Sequence, residues 1–239
     1  MKLSAITTIQ ALILGLSIGG SSLAQTLELP PNLIPFNSAE GEKLLINSQN
    51  RTDYFPLSIH FITQQNQAFC GVASMVMVLN ALNVPAPKSP EYPNFRTFTQ
   101  DNFFNNGATR KVTSANAIRR QGMNLDTLAK LLESYDVKVK VYHASSTNLA
   151  EFRQLIADNL KQSNNFVIVN YLRKAIKQES GGHISPIAAY DKATDRFLIL
   201  DVSRYKYPPV WVKAEELWQA IDTVDSDGGK TRGFVLVSR

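Results

Sequence analysis

The chain has 239 residues, with 25 lysines and arginines against 20 acidic residues and a formal net charge of +5. That length supports one substantial domain with a buried core, and basic residues that are scattered rather than clustered argue against a nucleic-acid partner. A single cysteine excludes an internal disulfide and any thiolate metal centre built by the protein alone.

The N-terminus carries one lysine, Lys2, then an apolar run over residues 9–18, then small residues at Ser22 and Ala24. This is the pattern of a secretory signal peptide, and the apolar run is too short to span a bilayer. Residues 1–24 are therefore expected to be a signal peptide that sends the protein out of the cytoplasm, to a periplasm, leaving no membrane attachment after cleavage. Residues 25–50, rich in Pro, Asn, Ser and Leu, read as an extended N-terminal arm with a short helix at 40–47. Residues 51–239 read as a single domain, opening on an irregular segment, 53–63, anchored by Tyr54, Phe55 and Phe61.

A helix is expected over 70–83, where Val72, Met75, Val76 and Leu79 recur at helical spacing and Ala73, Val78 and Leu82 widen the apolar face. Pro85 and Pro87 end it. Residues 88–122 are loop-rich, with short helices at 97–104 and 114–120. Leu125, Leu128, Leu131 and Leu132 define a helix over 125–135, with Asn124 as its cap. The Val-Lys alternation at 137–142 predicts a half-buried strand. An amphipathic helix follows at 148–162, then strands at 166–171, 183–190, 196–202 and 232–237, with a short helix at 213–221. Early helices and late strands predict an α+β fold with a mostly antiparallel sheet.

Cys70 stands where a polar loop turns into the most apolar helix. A helix N-terminus offers unpaired N–H groups and positive potential, and both favour a thiolate. Burial as a small hydrophobe is the commoner fate of a free cysteine, but an odd thiol in an exported protein is either an intermolecular link or a reactive group. Three histidines are available to partner it. His60 lies in the irregular segment and His143 ends a charged strand, whereas His183 follows Ser180-Gly181-Gly182 and opens an apolar strand. If Tyr190 pairs with Arg196 across the turn at 191–195, Asp201 falls opposite Ser185 and diagonal to His183. Asp201 also ends an apolar strand, where a carboxylate needs a partner. Cysteine on a helix N-terminus, histidine on a strand and aspartate on the next strand have the logic of a catalytic triad. Gln64 is placed by spacing to donate to a developing oxyanion beside the Cys70 N–H; Gln65 and Gln67 are rivals by residue type.

Several segments resemble the phytochelatin synthase family: residues 64–73 with their Cys70-Gly71 pair, Val78-Leu79-Asn80-Ala81-Leu82, Gly182-His183-Ile184-Ser185-Pro186-Ile187, and Gly229-Lys230-Thr231-Arg232-Gly233-Phe234. The most specific is the run from Leu198 to Val212, with Asp201 and Tyr205-Lys206-Tyr207-Pro208-Pro209-Val210-Trp211-Val212. The resemblance covers about residues 50–239 and implies a papain-like fold, its helical part packed on an antiparallel sheet. It implies cleavage of the Cys–Gly bond of glutathione through a γ-glutamylcysteinyl thioester on Cys70, with the acyl group then passing to water or to another glutathione. Carried over by position, Cys70 is the nucleophile, His183 the base and acid, Asp201 its orienter and Gln64 the oxyanion donor. For the γ-glutamyl group, Arg232 is expected to clamp the carboxylate and Asp225 to pair with the amine. Arg204 is a second candidate anion binder, and Asn170 and Gly182 are expected to line the cleft.

No cofactor or protein-bound metal is expected for acylation; a heavy-metal ion enters as a metal–glutathione thiolate acceptor. Expected partners are glutathione and γ-Glu-Cys peptides, and the Pro-rich arm with the surface aromatics points to a homodimer. The 239 residues lack the cysteine-rich C-terminal domain and the additional cysteines of the plant-type members, which the family ties to metal sensing. The expectation is a bare catalytic domain acting mainly as a glutathione hydrolase, with weaker transpeptidation. Two alternatives are a papain-like peptidase acting on another peptide, since Gln-x5-Cys-Gly also opens the peptidases that remove double-glycine leaders, and a non-catalytic glutathione-binding protein.

Overall fold

A computed structural model describes residues 26–239, so the expected signal peptide lies outside the described residues. Seven strands are present there: β1 (Ile34–Pro35), β2 (Lys138–His143), β3 (Asn165–Leu172), β4 (Gly182–Asp191), β5 (Arg196–Ile199), β6 (Val210–Lys213) and β7 (Gly233–Ser238). Eight α-helices accompany them: α1 (Ala39–Asn47), α2 (Tyr54–Ile59), α3 (Cys70–Ala81), α4 (Gly107–Val112), α5 (Ala115–Gln121), α6 (Leu125–Glu133), α7 (Leu149–Asn159) and α8 (Ala214–Ile221). The strands form one sheet in the order β1-β6-β5-β4-β3-β7-β2, with every neighbouring pair antiparallel. The α+β class expected from early helices and late strands is the one observed.

The sheet is covered on both faces, and the side-chain alternation of its strands shows how. On β3, Phe166 and Ile168 join the core that contains α3 and α6, while Val167, Val169 and Tyr171 join the core that contains α7 and α8. A strand buried on both faces reads as a continuous apolar run, which is how residues 166–169 look in the sequence. Helix α3 is apolar on every side and buried on every side but one: only Asn80 is not buried. Ser114, Asn124 and Asn148 cap α5, α6 and α7 through their side-chain oxygens.

Several elements differ from expectation. Residues 53–63 contain α2 rather than irregular chain; Pro56 sits in its first turn, where a missing N–H costs nothing. Residues 97–104 hold only a 3₁₀ turn, Phe103–Asn105. Asn102 accepts from Thr99 N at 2.8 Å and donates to Thr97 O at 2.9 Å, and such side-chain bonds compete with a helix. Helix α4 was not anticipated, because Asn105-Asn106-Gly107 reads as a turn; Asn106 in fact caps it. Strands β1 and β6 are too short to show a period. β1 belongs to the arm at 25–50, where Leu27 N donates to Lys206 O at 2.8 Å and Gly41 O accepts from Trp211 Nε1 at 3.0 Å.

The β4–β5 hairpin places the site. It opens one residue out from the expected pairing, Asp191 with Arg196 and Tyr190 with Phe197. A bulge between Ile187 and Ala189 then shifts the register by one, giving Ile187 opposite Ile199. The chain beyond β5 continues in that register, with Leu200 N bonded to Pro186 O at 3.0 Å. Asp201 therefore arrives at the level of Ser185 after all.

Candidate active site

Cys70 is the first residue of α3, and Phe69 before it provides no side-chain cap. The first-turn N–H groups are thus left for the site. Ser74, one turn on, ties helix to sheet: its hydroxyl donates to Cys70 O at 2.8 Å and lies 3.2 Å from Ile184 O. Burial pushes the Cys70 thiol up, but the hydrogen bond and charge of His183, with bonds from the backbone of Ile184 and Gly71, hold it below the ordinary thiol value.

His183 lies on β4 beside Tyr171 of β3, its register partner, whose ring meets the imidazole edge-to-face at 5.6 Å. Nε2 is 2.8 Å from Asp201 Oδ1 and 3.0 Å from Ser185 Oγ, which turns Nδ1 toward the thiol. Burial disfavours the imidazolium, but the charge and bond of Asp201 and the bond to Cys70 raise its pKa above the ordinary histidine value, against the opposing charge of Arg173.

Asp201 is fully buried. Its Oδ1 accepts from the Ser203 N–H at 2.8 Å and from Arg173 Nη2 at 2.9 Å, and Oδ2 lies 2.8 Å from Arg173 Nη1. Burial alone would raise its pKa; His183 and Arg173 hold the carboxyl well below the usual range. Arg173 is 3 % exposed, stacks 5.4 Å from the Tyr207 ring centroid and donates to Gln178 Oε1. Sequence reasoning missed this residue. The signal was there: an arginine directly after a buried, largely apolar strand must be paired.

Cys70 and His183 line a cavity of about 570 Å³ together with Gly182, Asn170, Asp225 and Arg232, a size suited to a small-molecule ligand. Asn170 Nδ2 donates to Asp225 Oδ2 at 3.0 Å. Arg232 Nη1 donates to Val224 O at 2.7 Å and Thr223 Oγ1 at 3.2 Å, and Nη2 reaches Asp225 Oδ1 at 3.4 Å. Its Nε is buried without a partner. The Nε–Nη2 edge faces Gly182, where an added Cβ would lie 3.1 Å from Nη2 and 3.5 Å from Nε. Gly182 packs directly against that edge, where a side chain would crowd the guanidinium.

Three expected residues are not among the cavity lining: Asp201, buried behind His183, and Gln64 and Arg204. Gln64 Nε2 donates to Asn66 O at 2.7 Å and to the Tyr205 hydroxyl at 3.1 Å, and Arg204 stacks over Phe61 at 4.8 Å. Gln67, a rival of Gln64 by residue type, does line the cavity, and so do Arg119, Arg120, Met123 and Asp227, which were not anticipated because α5, the residues just after it and the loop at 226–228 reach it only through the fold. The other histidines are elsewhere. His143 bridges Asp126 Oδ1 at 2.9 Å and Thr231 O at 2.6 Å, bracing the 225–232 loop, and His60 follows α2. Among the described residues no group of three or more His, Cys, Asp or Glu is placed to hold a metal ion.

A thiol of lowered pKa beside an imidazole of raised pKa favours the thiolate–imidazolium pair. Such a pair attacks a carbonyl carbon and then protonates the departing amine, which is acyl transfer out of an amide. Fold and site together define an α+β protein with a cysteine and a histidine on a small-molecule cavity and an aspartate buried behind the histidine. Residues 24–234 match the phytochelatin synthase family model; the chain belongs to that family. It is 36% identical over 212 residues to glutathione gamma-glutamylcysteinyltransferase 1 of Lotus japonicus, covering 87% of this chain and 41% of that one. The protein of the same name from Arabidopsis thaliana is 35% identical over 219 residues, 90% of this chain and 43% of that one. The glutathione gamma-glutamylcysteinyltransferase of Schizosaccharomyces pombe is 26% identical over 213 residues, 88% and 50%. The chain spans half the length or less of these curated relatives.

Proposed function

We propose that the protein cleaves the Cys–Gly amide of glutathione through a γ-glutamylcysteinyl thioester on Cys70. The observation that carries this reading is that Cys70 and His183 line one cavity, with Asp201 buried behind the imidazole and bonded to it, in a chain of the phytochelatin synthase family. The thiolate adds to the scissile carbonyl, the Cys70 N–H donates to the developing oxyanion, and imidazolium gives its proton to the leaving glycine nitrogen. Asp201, fixed by Arg173, stabilises the charged imidazole throughout. Water or the amine of a second glutathione then takes the acyl group, giving γ-Glu-Cys or a longer γ-Glu-Cys peptide. A metal ion enters only as part of a metal–glutathione acceptor. The γ-glutamyl carboxylate pairs with the Arg232 guanidinium, and its amine pairs with Asp225. A papain-like architecture belongs to the same proposal, supported by the helix-borne cysteine facing a histidine on an antiparallel sheet.

Gln64 takes the oxyanion-donor role in this scheme by rotating its amide away from Asn66 O, which a bound tetrahedral oxygen would replace as acceptor. The leader pattern at 1–24 supports export, and N-terminal sequencing of the protein from its native host tests it: a mature start near Gln25 is expected. The activity is tested by incubation with glutathione and quantification of glycine, γ-Glu-Cys and (γ-Glu-Cys)2-Gly. Equimolar glycine and γ-Glu-Cys mean hydrolysis, and the oligomer means transfer. No glycine release, with glutathione still bound, would make the protein a binder instead.

A further inference from the structure

Arg119 and Arg120 end α5 and line the cavity that holds Cys70. Both are exposed. The ion pairs among the described residues engage neither of them. Arg119 is held in place: its Cζ lies 5.3 Å from the centroid of the Phe69 ring, and Phe69 is fully buried and precedes Cys70 in the chain. Stacking on a fixed ring orients a guanidinium while leaving its in-plane N–H groups open to a ligand. The acids on the cavity wall, Asp225 and Asp227, belong to the 225–232 loop, and Asp225 is already bonded to Asn170 and Arg232. The helical wall therefore presents two uncommitted cations beside the nucleophile.

The chemistry of the reaction says what they would meet. In acylation the Sγ–C bond forms, the C–N bond to glycine breaks, and the imidazolium proton goes to the glycine nitrogen. That nitrogen is one carbon away from a carboxylate. In transfer to a second glutathione, its neutral α-amine attacks the thioester carbonyl, its proton goes to the imidazole, and the C–S bond breaks to restore the thiolate. The attacking nitrogen is again one carbon away from a carboxylate. Leaving group and acceptor thus share one unit, an α-amino carboxylate, and by microscopic reversibility both place it at the same spot. We infer that Arg119 and Arg120 form the subsite for this carboxylate, which selects a free C-terminal amino acid as leaving group and an α-amino acid over water as acceptor. The inference rests on the function proposed above.

The test compares glutathione with its analogue amidated at the glycine carboxylate, using wild type, Arg119→Gln, Arg120→Gln and the double variant. Lys111→Gln, on the exposed end of α4, is the charge control. Wild type is expected to prefer the acid over the amide in kcat/KM by about tenfold or more, the scale of a charge-assisted hydrogen bond. The double variant is expected to lose most of that preference and to shift products from (γ-Glu-Cys)2-Gly toward γ-Glu-Cys, while Lys111→Gln keeps both. Glycine release in which the double variant retains the wild-type preference and product ratio would overturn the subsite alone. Absence of glycine release by wild type would overturn the parent function and the subsite with it.

Discussion

Asp53 and Asp201 are both buried aspartates, and their surroundings send them in opposite directions. Asp201 has His183, Arg173 and a backbone N–H, and its carboxyl is held well below the usual range. Asp53 is 1 % exposed with no partner for either oxygen, and burial pushes it up to about 9. The folded state then keeps a proton that the unfolded chain releases near the ordinary carboxyl value, so stability falls as pH rises between the two. The loss is at most about 1.4 kcal/mol per pH unit. Asp53→Asn, of equal size and never charged, is expected to flatten that slope and raise the midpoint of thermal unfolding most at alkaline pH. Melts across the range check this; a slope equal to wild type would contradict it. At the site, the lowered Cys70 and raised His183 predict a bell-shaped kcat/KM. The acid limb marks formation of the ion pair and lies below the ordinary thiol value; the alkaline limb marks loss of the imidazolium proton and lies above the ordinary histidine value. Asp201→Asn removes the charge that favours imidazolium, so the alkaline limb should move down in pH and kcat should fall by roughly 10³–10⁴. Asp201's need for a partner was legible because it ends an apolar strand. Asp53 was not, since the aromatic segment after it hid a helix.

At the scale of elements, α3 and β4 bring the reacting groups together, and Ser74 is the stitch between them. Its loss removes the one hydroxyl that bridges Cys70 O and Ile184 O inside the core. Ser74→Ala should cost about 1–2 kcal/mol of stability and lower kcat more than it raises KM, because the thiol–imidazole alignment loosens while the substrate clamp on the 225–232 loop stays. Denaturant unfolding and steady-state kinetics on one preparation check both. Gly182, the first residue of β4, tests the clamp: in Gly182→Ala the new Cβ crowds the Arg232 edge at 3.1 Å. KM for glutathione should rise at least about tenfold as the displaced guanidinium loses its proposed pairing with the substrate carboxylate, with kcat little changed. The hairpin shows why legibility stopped where it did. Strand period and turn residues located His183 near Asp201, but the pairing at the turn was one residue off and the bulge at Ile187/Ala189 compensated. A bulge of small apolar residues leaves no mark on the hydrophobic pattern.

For the molecule as a whole, one antiparallel sheet separates two cores, and the candidate site lies where β3 and β4 meet the start of α3. The α+β class and the nearness of Cys70, His183 and Asp201 were legible because period, glycines and an acid out of place mark them locally; Arg232 and Asp225 were expected from charge and family position, and they line the same cavity. The placement of Gln64 and Arg204 outside the cavity lining, the buried Arg173 brace and the two arginines of α5 were not legible. They depend on how distant segments dock, which local pattern does not encode. The account stands on the acyl-enzyme. Intact-mass measurement of wild-type protein, acid-quenched during turnover with glutathione, should show a gain equal to glutathione less glycine, mapping to the Cys70 peptide, insensitive to disulfide reductants and absent in Cys70→Ala. Glycine release without that adduct on Cys70, or a gain equal to whole glutathione that reductant removes, would contradict it.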